Sequence, residues 1–106
     1  MTAAVVYVTV PNQKEAESLA QTAVNERLAA CANIIPQIKS VYRWEGETHM
    51  DQESLLLFKT TQARVPELMD RIQELHSYEV PCITSWPLTE IHPDYLQWIQ
   101  QSTQSL

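Results

Sequence analysis

The sequence predicts one α+β domain, residues 1–106, in which a four-stranded antiparallel sheet carries two helices on one face. Three observations support this fold class. Segments with strand and helix periodicity follow the order β-α-β-β-α-β and end with a C-terminal helix. The only glycine, Gly46, lies in the middle of a long hairpin pattern, and the length of 106 residues suits a single core. Right-handed crossovers fold this order into a split βαβ pair.

The first strand and helix are marked by their boundary residues. Residues 4–10 form a largely apolar run that Pro11 ends. Asn12 is followed three residues later by Glu15, which is the pattern of a capping box. The Asn side chain accepts a free backbone N–H of the helix, and the Glu side chain reaches back. Small and apolar residues then recur at helical spacing to about Arg27.

A long hairpin follows the first helix. Residues 30–35 form its first strand, and Pro36 predicts a bulge or bend because proline cannot donate to a strand ladder. Strand character resumes over residues 38–44, and residues 53–60 form a more apolar return strand. Gly46 can take the positive φ that the reversal between the strands needs.

The second half of the chain repeats the alternation of helix and strand. A helix is predicted from about residue 63 to residue 75, with Pro66 in its first turn, where a missing N–H costs nothing. A fourth strand covers residues 83–88, and Pro93 opens the terminal helix. The apolar stripe of the second helix is predicted to be buried and consists of Val65, Leu68, Met69, Ile72 and Leu75.

Composition and charge exclude several classes of partner. Thirteen acidic and seven basic residues give a net charge of −6, without the basic cluster that nucleic-acid binding requires. No apolar run approaches the roughly 18 residues of a membrane helix, and the residues before the first strand do not lead us to expect a secretory signal. The sequence therefore predicts a cytoplasmic protein with reduced cysteines. Cys31 is expected to be buried and inert among alanines, and Cys82 to be exposed.

The helix-free face of the sheet needs a cover that the chain cannot supply. One terminal helix is too short for a hairpin that carries Tyr42, Trp44 and Phe58, so a partner subunit is the predicted cover. Tyr42 and Trp44 are predicted to be interface anchors, because Trp and Tyr dominate the energy of many subunit contacts. The alternative is that these rings stack on a small ligand.

The sharpest candidate for chemistry is His76, with Glu79 in the loop after the second helix. Imidazole suits copper or zinc, and the carboxylate could complete a weak metal site. The alternative is that His76 satisfies the last carbonyls of its helix. His49 could meet copper transiently, although an exposed loop histidine is the default, and His92 most simply begins the last helix. No motif requires a cofactor.

Lys59, Trp44, Tyr78 and Glu79 form the predicted ligand cleft. Lys59 ends an apolar strand, where it could neutralise a small anionic ligand or pair with Glu79 across the sheet. A solvated edge lysine is the alternative. Tyr78, like Trp44, could stack on the ligand or anchor a subunit interface.

Six blocks in matching order carry a resemblance to a known family: residues 28–31 (LAAC), 33–36 (NIIP), 40–46 (SVYRWEG), 59–61 (KTT), 76–81 (HSYEVP) and 94–98 (DYLQW). From about Val5 to Ile99 the chain resembles the CutA divalent-cation-tolerance family. The resemblance implies a ferredoxin-like fold and a tight homotrimer whose hairpins extend the sheets of neighbouring subunits. It also implies a likeness to the trimeric PII signalling proteins.

The resemblance further implies tolerance of divalent metals, copper in particular, with no enzymatic reaction securely attached. Copper binding in a bacterial member of the family is linked to a first-strand cysteine and two adjacent histidines, where this chain has Val8, Leu75 and His76. The family's usual His-Pro-Tyr is His76-Ser77-Tyr78 here.

The expected function is therefore that of a trimeric, non-enzymatic, signalling-like protein of the metal response. It would bind copper(II), another divalent metal or a small ligand in clefts between subunits. Two alternatives remain open. One is a small-molecule enzyme whose site is assembled between subunits from Lys59, His76 and Glu79, and the other is a purely structural trimer.

Overall fold

The computed structural model describes residues 2–105. Their order confirms the predicted α+β class, with a four-stranded antiparallel sheet and three helices. The elements are β1 (Ala3–Val10), α1 (Gln13–Asn25), β2 (Cys31–Trp44), β3 (Glu47–Thr61), a single 3₁₀ turn (Gln62–Arg64), α2 (Val65–Leu75), β4 (Ile83–Leu88) and α3 (Pro93–Ser102).

The strands lie in the order β2-β3-β1-β4, and each neighbouring pair is antiparallel. Val6 of β1 lies opposite Phe58 of β3, and Val8 lies opposite Leu56. Because side chains alternate along a strand, these four residues share one face of the sheet, and Tyr7 of β1 lies on the other. We call these the helix face and the open face.

The main core lies between the helix face and the helices α1 and α2. Phe58, Leu56, Leu68 and Ile72 are among its largest side chains and are almost fully withdrawn from solvent. Leu75, predicted as part of the same stripe, is instead exposed. The chain leaves the helix at the next residue, and the ring of His76 is buried in its place.

Asn12 caps α1 as predicted, with its Oδ1 accepting the backbone N–H of Glu15 at 2.8 Å. The helix ends at Asn25, slightly earlier than expected. Arg27 takes a left-handed φ of 63°, its N–H donates to the Val24 carbonyl, and the Leu28 N–H donates to the Ala23 carbonyl. These two hydrogen bonds form a Schellman motif, so the helix end is satisfied without a glycine.

The hairpin of β2 and β3 is confirmed, with the predicted bulge between Ile35 and Ile38. Glu45 and Gly46 form its turn with φ of 50° and 80°, the pattern of a two-residue turn with two positive φ values. Because the turn contains only two residues, Trp44 pairs directly with Glu47. The return strand therefore begins at Glu47 and not at residue 53, because its exposed polar residues still join the ladder.

The open face is covered at one end only. Ile99 of α3 packs there against Ala3 and Ala30. Farther along the same face, Trp86 is 44% exposed, and its ring lies 6.3 Å from that of Tyr7. None of the helices in residues 2–105 has the length and apolar character needed to cross a bilayer.

Candidate functional site

A cleft of about 610 Å³ opens on the uncovered part of the open face. The distal half of the hairpin forms one wall, β1 forms the floor, and the loop between α2 and β4 forms the other wall. Its aromatic lining consists of Tyr7, Tyr42, Trp44 and Tyr78. Its other lining residues are Thr9, Ser40, Glu53, Ser77, Glu79, Val80 and Cys82.

His76 holds the loop wall of the cleft against β1. Its Nε2 lies 2.7 Å from the Thr9 carbonyl oxygen, and its Nδ1 accepts the Tyr78 backbone N–H at 3.0 Å. Nε2 must therefore carry the hydrogen that is donated to Thr9. Both ring nitrogens are in use, so a metal ion could bind here only by displacing one of these bonds. The alternative role of His76, in which its ring satisfies the last carbonyls of α2, is not observed. The ring bonds to a carbonyl of β1 instead.

Glu15 fixes the same loop from the side of α1. Its Oε2 accepts hydrogen bonds from the backbone N–H of Ser77 at 3.1 Å and from the Ser77 hydroxyl at 3.0 Å. The predicted return contact of Glu15 to Asn12 is therefore not made. The Glu15 carboxylate accepts two hydrogen bonds from Ser77 instead of one from the backbone of Asn12. These two bonds connect α1 to the loop wall of the cleft.

Tyr78 and Glu53 form the polar centre of the cleft. The Tyr78 hydroxyl donates to Oε2 of Glu53 at 2.9 Å, across the open face. Burial and then the hydrogen bond to the Glu53 carboxylate raise the pKa of Tyr78 above its usual value. The phenol therefore stays protonated and continues to donate. Glu53 itself is only 8% exposed.

The hairpin wall carries a second pair of tyrosine and carboxylate. The Tyr42 hydroxyl donates to Oδ2 of Asp51, and this hydrogen bond is the main cause of a raised pKa of Tyr42. The Tyr42 ring also stacks on His49, with 5.5 Å between ring centres. These contacts orient the aromatic face that Tyr42 shares with Trp44.

The lining of the cleft carries negative charge. Glu53 and Glu79 both line it, whereas none of the seven lysines and arginines does so. Within residues 2–105, no three His, Cys, Asp or Glu side chains are grouped so as to hold a metal ion. The single chain therefore presents an aromatic cleft with carboxylates and without an assembled metal site.

The structure brings together three of the four residues predicted for the cleft. Trp44, Tyr78 and Glu79 line it, but Lys59 does not, and its Nζ donates to Oδ1 of Asn33 at 2.8 Å. The predicted contact of Lys59 with Glu79 is wrong. Lys59 lies opposite Val5 in the ladder, about four residues or roughly 13 Å along β1 from the end that the loop approaches.

The exposure of the other predicted residues depends on where each of them lies in the fold. Tyr42 and Trp44 are 41% and 47% exposed in the single chain, which leaves their interface role a prediction. Cys31 is half-buried and not fully buried as expected, because it lies beside Lys59 on the open face. Its Sγ lies 3.5 Å from the Tyr95 hydroxyl. Cys82 is exposed, as expected.

Sequence reasoning missed Glu53, Thr9 and Tyr7. A signal for Glu53 existed, because strand alternation places residue 53 on the same face as Leu55 and Leu57 of the apolar run. A charged residue that continues a half-buried stripe indicates a polar function at that face. No local pattern marked Thr9, whose role here is played by its backbone carbonyl.

Comparison with known proteins identifies the relatives of this chain. The CutA1 divalent ion tolerance protein family matches residues 4–102. The divalent-cation tolerance protein CutA of Thermus thermophilus is 48% identical over 99 residues, which are 93% of this chain and 96% of the relative. The chloroplastic protein CutA of Arabidopsis thaliana is 45% identical over 101 residues, which cover 95% of this chain and 56% of that protein's length.

A solved structure shows the same fold. The periplasmic divalent cation tolerance protein CutA of Archaeoglobus fulgidus superposes with a TM-score of 0.94 at 33% identity, covering 96% of this chain and 99% of the other. The match in sequence thus extends over nearly the whole fold described above. This chain belongs to the CutA1 divalent ion tolerance protein family.

Proposed function

We propose that this protein acts as a non-enzymatic homotrimer in the response to divalent cations, and that the open-face cleft is its ligand site. The observation that carries the proposal is the uncovered open face, which continues from the cleft onto a projecting hairpin. The polar groups of the cleft are fixed by hydrogen bonds within the chain: Tyr78 bonds to Glu53, and His76 bonds to backbone groups. Groups that are fixed in this way suit the binding of a ligand better than a chemical reaction on it.

The shape of the chain supports assembly through the hairpin. The chain measures 44 × 26 × 22 Å, and the outer half of the hairpin extends beyond the other two strands. Val41 and Met50 face each other across it and are 62% and 66% exposed. Paired apolar side chains on a projecting ribbon favour burial against other subunits. With a cleft that opens beside the ribbon, such a trimer suits signalling by ligand binding.

A cytoplasmic location is part of the proposal. Cys31 and Cys82 are free thiols, which suits a reducing compartment. The relatives described above include one named as chloroplastic and one named as periplasmic. Fractionation of the native cells with an antibody against this chain would test the location.

Copper(II) is the metal that we propose for the response, with weak binding at the hairpin. The expectation that copper binds at His76 is not carried into this proposal, because binding there would require the loss of a buried hydrogen bond. Neither ring nitrogen of His49 is hydrogen-bonded within residues 2–105, and Asp51 follows two residues later on the same face. An imidazole beside a carboxylate suits copper.

Isothermal titration with copper(II) at neutral pH separates the two histidines. We expect His49→Ala to lower the copper affinity by about tenfold or more, because it removes the accessible imidazole. We expect His76→Ala to leave it within about threefold of the wild type, and His92→Ala serves as the matched control. Copper affinity that survives in His49→Ala but disappears in His76→Ala would overturn the hairpin site.

A further inference from the structure

We propose that α3 is a releasable strap, which leaves the sheet as one unit while the main core stays folded, and that Arg64 is the latch that holds it closed. Release of the strap uncovers Cys31. The strap packs on Ala3 at the start of β1, roughly 20 Å along that strand from Thr9 in the cleft lining. The inference therefore requires neither a free cleft, nor copper, nor a particular number of subunits.

The apolar attachment of the strap to the sheet is small. Of the ten residues in α3, Ile99 alone is buried, and it packs on Ala3 and Ala30 in a cluster separate from the main core, with Leu96 half-buried beside it. By contrast, α1 buries four residues in the main core and α2 buries three. Segments with few buried apolar contacts open at a lower free energy than the core that they leave. Among the three helices, α3 is therefore the one whose release costs least.

Arg64, in the 3₁₀ turn before α2, provides the main polar attachment of the strap. Its Nε donates to the carbonyl oxygen of Thr103 at 3.0 Å, and its Nη2 donates to the hydroxyl of Ser105 at 2.6 Å. Thr103 is the C-cap residue of α3, and the last turn of that helix contains no basic residue. A positive charge at a helix C-terminus interacts favourably with the helix dipole. The guanidinium of Arg64 thus supplies this charge from outside the strap.

Cys31 lies beneath the first turn of the strap. Its Sγ lies 3.5 Å from the hydroxyl of Tyr95, and the residue is half-buried. Cys31 follows Ala30, on which Ile99 packs, so the thiol and the apolar anchor of the strap share one patch of the sheet. Release of α3 removes Tyr95 and Ile99 together. The reactivity of the Cys31 thiol toward a bulky reagent therefore reports the state of the strap.

Two rates measured on the purified protein, with Cys82→Ser as the background, test the proposal. The first is the reaction of Cys31 with dithiobis(nitrobenzoate): the Cys31 thiolate attacks one sulfur of the reagent, a mixed disulfide forms, and one nitrothiobenzoate anion leaves. The second is amide hydrogen exchange of α3, followed by mass spectrometry. Arg64→Ala removes two hydrogen bonds from a charged donor, so both rates should rise about tenfold or more. The two factors should agree within about threefold, because one opening event controls both.

Arg71→Ala is the matched control. Arg71 is also an arginine with two short hydrogen bonds, but its guanidinium donates to Glu26 of α1 at 2.9 and 2.8 Å, so the bonds join α2 to α1. This substitution should leave both rates within about threefold of the wild type. The amides of β1 should keep their protection in both variants, because the main core stays folded.

Three results would overturn the strap. They are unchanged rates in Arg64→Ala, faster exchange of α3 without faster labelling of Cys31, and loss of protection in β1 at the same rate as in α3. The wild type alone decides where Arg64→Ala does not fold. Its opening constant from Cys31 labelling should exceed that from the β1 amides at least tenfold and depend less steeply on urea, because release exposes less surface than unfolding. Equal constants and equal urea slopes would contradict the proposal.

Discussion

Trp44→Asp should convert the proposed trimer into smaller species at concentrations at which we expect the wild type to stay assembled. Trp44 lies next to the hairpin turn and is 47% exposed in the single chain, although it is one of the largest apolar side chains. In the proposed trimer it is covered by a neighbouring subunit. The substitution removes an aromatic anchor and would bury an unpaired charge in each interface.

The expected cost is about 2–4 kcal/mol per interface, which raises the dissociation constant by roughly 30- to 1,000-fold. Sedimentation velocity over a dilution series would measure it. Trp44→Phe should retain most of the assembly because the ring is kept. Gln21→Glu adds the same charge on the exposed side of α1 and should have no effect. A Trp44→Asp variant that dissociates at the same concentration as the wild type would show that this ring is not an anchor.

Phe58→Ala should be the most destabilising substitution of a single core side chain. Phe58 is fully buried on the helix face, opposite Val6 and Ala32 in the two neighbouring strands. Its truncation removes apolar contact and leaves a cavity that packed neighbours cannot fill. The expected loss is about 3–5 kcal/mol of the free energy of unfolding.

Urea unfolding at a fixed protein concentration would measure this loss, since assembly makes apparent stability depend on concentration. Phe58→Leu, which keeps most of the volume, should cost less than about 1.5 kcal/mol and serves as the control. A loss below about 1 kcal/mol in Phe58→Ala would mean that the helix-face core is not packed as described.

The features that could be predicted from sequence are those with local causes. Asn12 caps α1 through a backbone N–H three residues away, and Gly46 forms the hairpin turn with its direct neighbour. Pro36 produces the bulge of β2 wherever the rest of the sheet lies. Each signal depends on residues within a few positions, so it can be read before the tertiary structure is known.

The centre of the site depends on distant contacts and was only partly predictable. The Thr9 carbonyl that receives the His76 ring is 67 residues away in the chain, and Glu53 is 25 residues from Tyr78. Only the sheet register brings these groups together. The same register separates Lys59 from Glu79, although both were plausible partners in sequence terms.

We propose that two further copies of the chain cover the open face and the hairpin. Sedimentation equilibrium of the purified wild-type protein at micromolar concentration tests this most directly. We expect a single species with three times the 12.2 kDa mass of the chain. A single species with the mass of one chain at the same concentration would contradict it.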